Sequence, residues 1–251
     1  MTRRLNILLL VLLLGFGLPY YWLLIDSRPG DARAKPVSIG QLRQLAASIP
    51  GQRPTAVQVE QVAFARMPGN VFVAGSGIKR KLFGFMAFRL PVPGSGAVII
   101  DSRMTAAAAK EIGVEAFIAS AQAKVHAAMR RAGLILATHE HIDHMAGLAA
   151  LADTPVMAKA LVNPQQLPTS PLAAALPWAR REGLKAAIAP GAPQAVAPGI
   201  VVIPAPSHTP GSQMIFVQLA SGAEYLFAGD IATKAQSWQE LRGRSRLIAD
   251  H

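Results

Sequence analysis

Apolar and polar positions divide the chain into stretches of different texture. Leu5 to Ile25 is a run of 21 residues without a charged side chain, bracketed by Arg3-Arg4 and Asp26. As a helix rising about 1.5 Å per residue it is ~31 Å long, which matches a hydrocarbon core of about 30 Å. Tyr20, Tyr21 and Trp22 fall near its outer end, where amphipathic rings favour the membrane–water interface. From Ser27 to Pro54, Pro, Gly and small polar residues surround a single helical pattern, Ile39 to Ile49, so this segment reads as a linker or stalk.

From Thr55 onward, short apolar runs alternate with helical stretches. Val57 to Glu60, Val62 to Phe64, Asn70 to Ala74 and Leu82 to Leu90 are β-rich, with Gly75-x-Gly77 as a turn. Pro93-Gly94-Ser95-Gly96 is a turn leading into a buried strand, Ala97 to Ser102. Leu134 to Ala137, Thr154 to Ala158 and Gly199 to Pro204 read as further strands, and Gln213 to Leu219 with Glu224 to Ala228 as a hairpin. Helices are expected over Ala106 to Ile112, capped by Thr105 and closed by Gly113, and over Ile118 to Ala132. Two more are expected from Met145 and over Leu172 to Glu182, with loops at Pro164 to Pro171 and Pro190 to Pro198.

The chemistry concentrates after the strand at Leu134. Thr138-His139-Glu140-His141-Ile142-Asp143-His144 packs four metal-competent side chains into six positions on a strand-to-helix loop. In extended chain His139 and His141 project to one side, because the side-chain period is two. Asp143 and His144 are adjacent and converge only if the chain turns tightly into a helix. The spacing therefore suits two metal ions a few ångströms apart. His126 stands alone on a helix with no partner at ligand spacing, which reads as a solvated or packed histidine.

Composition narrows the classes. A 51% hydrophobic chain of 251 residues has ample material for a core. The absence of cysteine excludes disulfides, thiolate metal sites and a thiol nucleophile. A formal net charge of +11 permits an anionic partner. Lys and Arg are scattered, however, with Lys79-Arg80-Lys81, Arg130-Arg131 and Arg180-Arg181 the only tight groups, which speaks for a solvated surface and against nucleic acid.

The heptad resembles the H-x-H-x-D-H signature of the metallo-β-lactamase superfamily, and later segments follow the same series. Ser207-His208-Thr209-Pro210-Gly211 is similar to the next ligand segment of that family, and Phe227-Ala228-Gly229-Asp230 to its Gly-Asp step. Asp101-Ser102 match the family's strand-end Asp-Ser/Thr-Gly, but Arg103 stands where glycine is expected, a position that usually needs positive φ. Asp101 reads either as a partner orienting a ligand histidine or as a helix cap. The resemblance implies an αββα sandwich over roughly Thr55 to Ile231, preceded by the N-terminal transmembrane helix. It further implies one ion on His139, His141 and His208, a second on Asp143 and His144, and Asp230 bridging. Zinc is the metal expected, two ions per complete site, with iron or manganese as alternatives. The implied activity is hydrolysis of a small ester, lactone, lactam or thioester by metal-bound hydroxide, with Asp143 also handling the proton.

Three expectations stay open beside this one. The apolar segment is either an uncleaved anchor over residues 1–26, which places the rest outside the cytoplasm, or a signal peptide cut near Ala32-Arg33-Ala34. The domain over residues 55–251 is expected to lack its last strand and helix. The family supplies a further histidine after the bridging aspartate, whereas here 21 residues follow Asp230 and only His251 remains. A metal-binding but catalytically incomplete chain, or a metal-dependent nuclease, therefore stands as the alternative to a hydrolase.

Overall fold

The computed structural model describes residues 2–27, 36–151 and 154–249. His251 and the possible cleavage site at Ala32 to Ala34 lie outside them. In chain order the elements are α1 (Arg3–Ile25), α2 (Ile39–Ser48), β1 (Gln58–Pro68), β2 (Arg80–Val92) and β3 (Gly96–Ile100). They continue with α3 (Ala106–Ile112), β4 (Ala116–Phe117), α4 (Ala119–Arg131), β5 (Leu134–Leu136) and α5 (Ile142–Ala149). The last strands are β6 (Gln194–Ala197), β7 (Ile200–Pro204), β8 (Gln213–Gln218) and β9 (Glu224–Phe227). They fall into two compact units, Lys35–Ala65 with Gly84–Ile231, and Met1–Ala34 with Arg66–Phe83 and Ala232–His251.

The larger unit is built on two sheets, ordered β4-β1-β2-β3-β5 and β6-β7-β8-β9. The continuous apolar runs seen in the sequence arise because the central strands are buried on both faces. On β3, Val98 and Ile100 face inward with Leu90 and Leu136, and across the interior they meet Ile200, Val202, Ile215 and Val217. The alternate residues face outward. Ile99 and Ile135 pack under Val125 and Met129 of α4 and Met145 and Leu148 of α5. Val201, Ile203 and Phe216 pack under Leu42 and Ala46 of α2. Helix, sheet, sheet and helix thus form the expected αββα sandwich. The segment read as a stalk contributes its outer layer through the i, i+4 pair Leu42 and Ala46.

Two features set up the strand ends. β3 and β5 run parallel, with Ile100 opposite Leu136, so both deliver their C-terminal ends to the same edge. α3 is capped as the sequence indicated: the Thr105 hydroxyl accepts from Ala108 N at 3.1 Å, and Gly113 closes the helix at φ +74.

Several local expectations are corrected. Thr154–Met157 is a helical turn rather than a strand, and the parallel bridge to Ile135 forms instead at Ala160. The helix expected from Leu172 spans only Pro171–Ala174, because Pro177 has no N–H to continue it and the Trp178 indole donates to the carbonyl of Ala173 at 2.6 Å. The Ala/Pro/Gly stretch before β7 holds the edge strand β6, which pairs antiparallel with β7 through a bulge at Ala195/Ala197.

In the smaller unit, α1 has every side chain outside any packed core, at a mean hydropathy of 2.2 over its apolar window. Asn70 to Ala74, expected as a strand, enters a helical turn, Gly69–Phe72, and Phe72 stacks on Phe83 at 4.8 Å.

If α2 is an integral layer, Leu42→Ala should lower the unfolding free energy of the detergent-solubilised chain by about 2–4 kcal/mol, as for other buried leucines. A urea midpoint unchanged from the parent would show that α2 contributes no stability.

Candidate metal centre

The ends of β3, β5, β7 and β9 each deliver one part of the site. At the end of β5, Thr138 N donates to Asp101 Oδ1 at 2.7 Å, and the Thr138 hydroxyl donates to the same oxygen at 3.0 Å. These bonds extend the parallel β3–β5 ladder by one step and hold the start of the histidine loop. The chain then turns into α5 with His141 as N-cap, and His144 N and Met145 N both donate to His141 O at 3.0 Å. That first helical turn swings His144 back over His139, their ring centroids 3.9 Å apart. His208 arrives from the turn after β7, and Asp230 from the 3₁₀ turn Gly229–Ala232 after β9. Gly229, at φ +53, packs its backbone on Thr138; a Cβ there would lie 2.7 Å from Thr138 Cβ.

All six residues singled out in the sequence are brought together, and His126 is not among them. His139 Nε2 lies 3.1 Å from His141 Nδ1, and His208 Nε2 lies 3.0 Å from the same atom. His139, His144 and Asp230 form a second convergent group, with His144 Nε2 3.5 Å from Asp230 Oδ1 and 3.2 Å from Asp143 Oδ2. Asp230 Oδ2 reaches the first group at 3.8 Å from His208 Nε2.

These residues fit a metal on two counts. Nitrogens bound tetrahedrally at about 2.0–2.1 Å from one ion stand roughly 3.3 Å apart, close to the separations here. His144 Nε2 is buried and has no hydrogen-bond partner among the described residues, although it points at two carboxylates. The outer nitrogens are held as ligand histidines require. His144 Nδ1 donates to Asp101 Oδ2 at 2.8 Å, and His139 Nδ1 lies 3.2 Å from the Thr138 hydroxyl.

Burial, the largest cause, keeps His139 and His141 below the ordinary histidine range, so their imidazoles are neutral and able to coordinate. Burial also pushes the Asp101 carboxyl upward, but His144 and Arg103 outweigh it and hold it down at about 2. Arg103 is the departure from the familial glycine. It adopts φ +59, beside Asp101 at φ +61, so the turn keeps the left-handed backbone with an arginine in place. Its guanidinium is buried, donates to Asp101 Oδ2 at 2.6 Å and lies 3.3 Å from His144 Nδ1. Asp101 thus acts as the partner of a site histidine rather than as a helix cap.

A second layer was not read from the sequence. Glu140, between two site histidines, is buried and faces away from them. It accepts from Gly211 N at 2.9 Å and from the Thr209 hydroxyl at 2.8 Å, pinning the His208 turn. A Cβ on Gly211 would overlap that carboxylate. Asn163 donates to Gly211 O at 2.9 Å, and Gln213 and Gln166 both donate to Ala137 O, at 2.7 and 3.2 Å. The one local signal was Asn163-Pro164-Gln165-Gln166, which carries the residue types of a capping box and forms one.

A family model described as a β-lactamase superfamily domain matches residues 104–250. Among solved structures, a quorum-quenching N-acyl homoserine lactone lactonase aligns with a TM-score of 0.62 at 14% identity, over 80% of this chain and 85% of that one. An N-acyl homoserine lactone hydrolase, solved with N-hexanoyl-L-homoserine at its catalytic metal center, aligns at 0.61 and 14%, over 78% and 85%. A probable metal-dependent hydrolase from Staphylococcus aureus aligns at 0.53 and 16%, over 72% and 75%. At these identities the likeness is one of fold. No curated protein matches the sequence.

Because Arg103 and His144 share one oxygen of Asp101, Arg103→Gly should return that oxygen to His144 and remove a cation from beside it. Binding of a divalent transition-metal ion at His144 should tighten by about tenfold, the scale of outer-layer effects on metal sites, as read by titration against a chromophoric chelator. Weaker binding in this variant would mean that Arg103 supports the site rather than opposing it.

Proposed function

This chain belongs to the metallo-β-lactamase superfamily, and on that premise we propose that it hydrolyses small carbonyl substrates, N-acyl homoserine lactones first among them. The observation that carries the reading is the convergence of His139, His141 and His208 on one point, with His144, Asp143 and Asp230 beside it. The two lactone-cleaving enzymes among the structural neighbours support the choice of substrate class. In this reading His139, His141 and His208 would hold one ion and His144 and Asp143 a second, with Asp230 lying against both groups. Zinc suits such histidine and carboxylate donors. When bound, the metal supplies Lewis acidity and brings the pKa of water toward neutrality.

The chain's own groups do the rest. Asp143, with Oδ2 3.2 Å from His144 Nε2, is the carboxylate placed to act as base. It accepts a proton from the attacking water and returns it to the ring oxygen as the lactone opens to the hydroxy acid. Asp101 and Thr138 keep His144 and His139 turned with Nε2 inward, and Glu140 fixes the turn that carries His208. The competing reading is a metal-binding module without turnover.

We also propose that α1 is an uncleaved membrane anchor. Its 23 residues and its freedom from any packed core support this, and the basic flank at Arg3-Arg4 should stay in the cytoplasm with the sandwich on the other side.

Zinc-loaded full-length protein should open N-acyl homoserine lactones, and do so faster than it cleaves a β-lactam or a thioester. The His139→Ala/His141→Ala double variant should lose most of its bound zinc and at least ~100-fold in turnover, given several kcal/mol of metal-derived stabilisation. Unchanged zinc content in that variant would end the metallohydrolase reading, and full zinc without turnover on any of the three substrates would favour the binding module. For the anchor, N-terminal sequencing of membrane-extracted protein should return the native start. A mature chain beginning at Lys35 would make the segment a signal peptide.

A further inference from the structure

The chain's positive charge is uneven. In the smaller unit, residues 66–83 carry Arg66 and the run Lys79-Arg80-Lys81, and residues 232–249 carry Lys234, Arg242, Arg244 and Arg246. Among the described residues of these two segments Glu240 is the only carboxylate. Neither segment contributes to the metal centre, which lies wholly within the other unit.

Both segments are fastened to the last turns of α1. Gly75 N donates to Leu24 O at 2.9 Å, satisfying one of the carbonyls that a helix end leaves open. Arg246 donates to Asp26 Oδ2 at 3.2 Å and lies over the Trp22 ring at 5.3 Å. The two segments are also joined to each other, since Ala74 N donates to Gly243 O at 2.9 Å and Arg242 Nη1 to Ala74 O at 3.3 Å. Whatever depth the end of α1 takes, these segments must take it too. A helix of about 31 Å that fills the hydrocarbon core leaves Trp22 to Asp26, and everything bonded to them, at the level of the headgroups.

Their surface suits that level. Ile78 is 74% exposed and Leu241 70%, and Leu82, Trp238 and Leu247 are also exposed. These large apolar side chains alternate with the cations: Ile78 and Leu82 flank Lys79-Arg80-Lys81, while Leu241 and Leu247 flank Arg242 to Arg246. Apolar side chains that can enter the acyl boundary, set among Lys and Arg, are the composition of a surface lying in a membrane interface. Each cation near an anionic leaflet adds to the attraction. A nucleic-acid surface would use the same cations, but it would not account for their attachment to the end of an apolar helix.

We propose that the unit formed by α1, residues 66–83 and residues 232–249 is a membrane-interface platform that binds anionic phospholipid headgroups chiefly through Lys79 and Lys81 while Ile78, Leu82, Trp238, Leu241 and Leu247 enter the acyl boundary. The proposal rests on the reading of α1 as a membrane span and is independent of the hydrolase assignment.

The absence of cysteine allows single-site labelling of the full chain. Ile78→Cys, Leu241→Cys and Leu10→Cys, each carrying an environment-sensitive dye, are reconstituted into vesicles of phosphatidylcholine alone or mixed with phosphatidylglycerol. With phosphatidylglycerol present, a lipid bearing a nitroxide at headgroup depth should quench the dyes at positions 78 and 241 about threefold more than aqueous iodide does. The excess should shrink by about half at roughly 0.5 M salt, because exposed charges are then screened. Adding Lys79→Gln and Lys81→Gln should bring quenching at position 241 toward its value in phosphatidylcholine alone. Dyes at 78 and 241 that respond to iodide and not to the nitroxide lipid, while the dye at position 10 is quenched from the bilayer centre, would overturn the platform and leave the anchor standing. A dye at position 10 that stays aqueous would overturn both. Shielding of positions 78 and 241 by a single-stranded oligonucleotide, with no response to phosphatidylglycerol, would assign the surface to nucleic acid instead.

Discussion

A single buried carboxylate holds the candidate metal centre together. Asp101, at the end of β3, accepts from the backbone and the hydroxyl of Thr138, from His144 Nδ1 and from Arg103. It joins two parallel strand ends, orients one site histidine directly and steadies another through the threonine. A carboxylate buried without such donors would be neutral, and its oxygens could not serve all of them. Its fall from an ordinary 3.8 to about 2 corresponds to roughly 2 kcal/mol in favour of the folded state. Because the folded pKa is the lower one, this contribution is present above pH 4 and fades as the pH falls through 2.

The second constraint is that two loops far apart in sequence must meet within hydrogen-bond distance. The His208 turn is tied to the histidine loop by Glu140 and by the amides of Asn163, Gln166 and Gln213. Buried amides and carboxylates stabilise only when their partners are all present, so this layer admits few other arrangements. Glu140 shows the division of labour within the heptad. Its neighbours His139 and His141 turn toward the candidate metal position, while its own side chain turns away and braces the opposite wall.

The sandwich and the six residues that it brings together were legible in the sequence for local reasons. β3, β5 and β7 are unbroken apolar runs because they are buried on both faces, and each ends directly before a site segment. The histidine loop is compact enough for its spacing to be read within one turn of chain. The bracing layer was not legible, because its partners are separated by 71 residues for Glu140 and Gly211 and by 76 for Gln213 and Ala137. Secondary structure failed where tertiary pairing decided it. β6 is a strand only because β7 accepts it, and Thr154–Met157 coils because the pairing to Ile135 falls to Ala160. The helix after Pro171 is shorter than its apolar pattern suggests because Pro177 stops it. That residues 66–83 and 232–249 belong together was not legible either, because the bond from Ala74 N to Gly243 O joins segments far apart in sequence.

The strut between Glu140 and the backbone of Gly211 has a consequence for how the protein meets its ions. In small zinc domains the ligands are ordered by the metal itself, and folding and loading are one event. Here the strut and the sandwich around it hold His208 beside His141, so less of the ordering of the ligands would be left for an ion to supply.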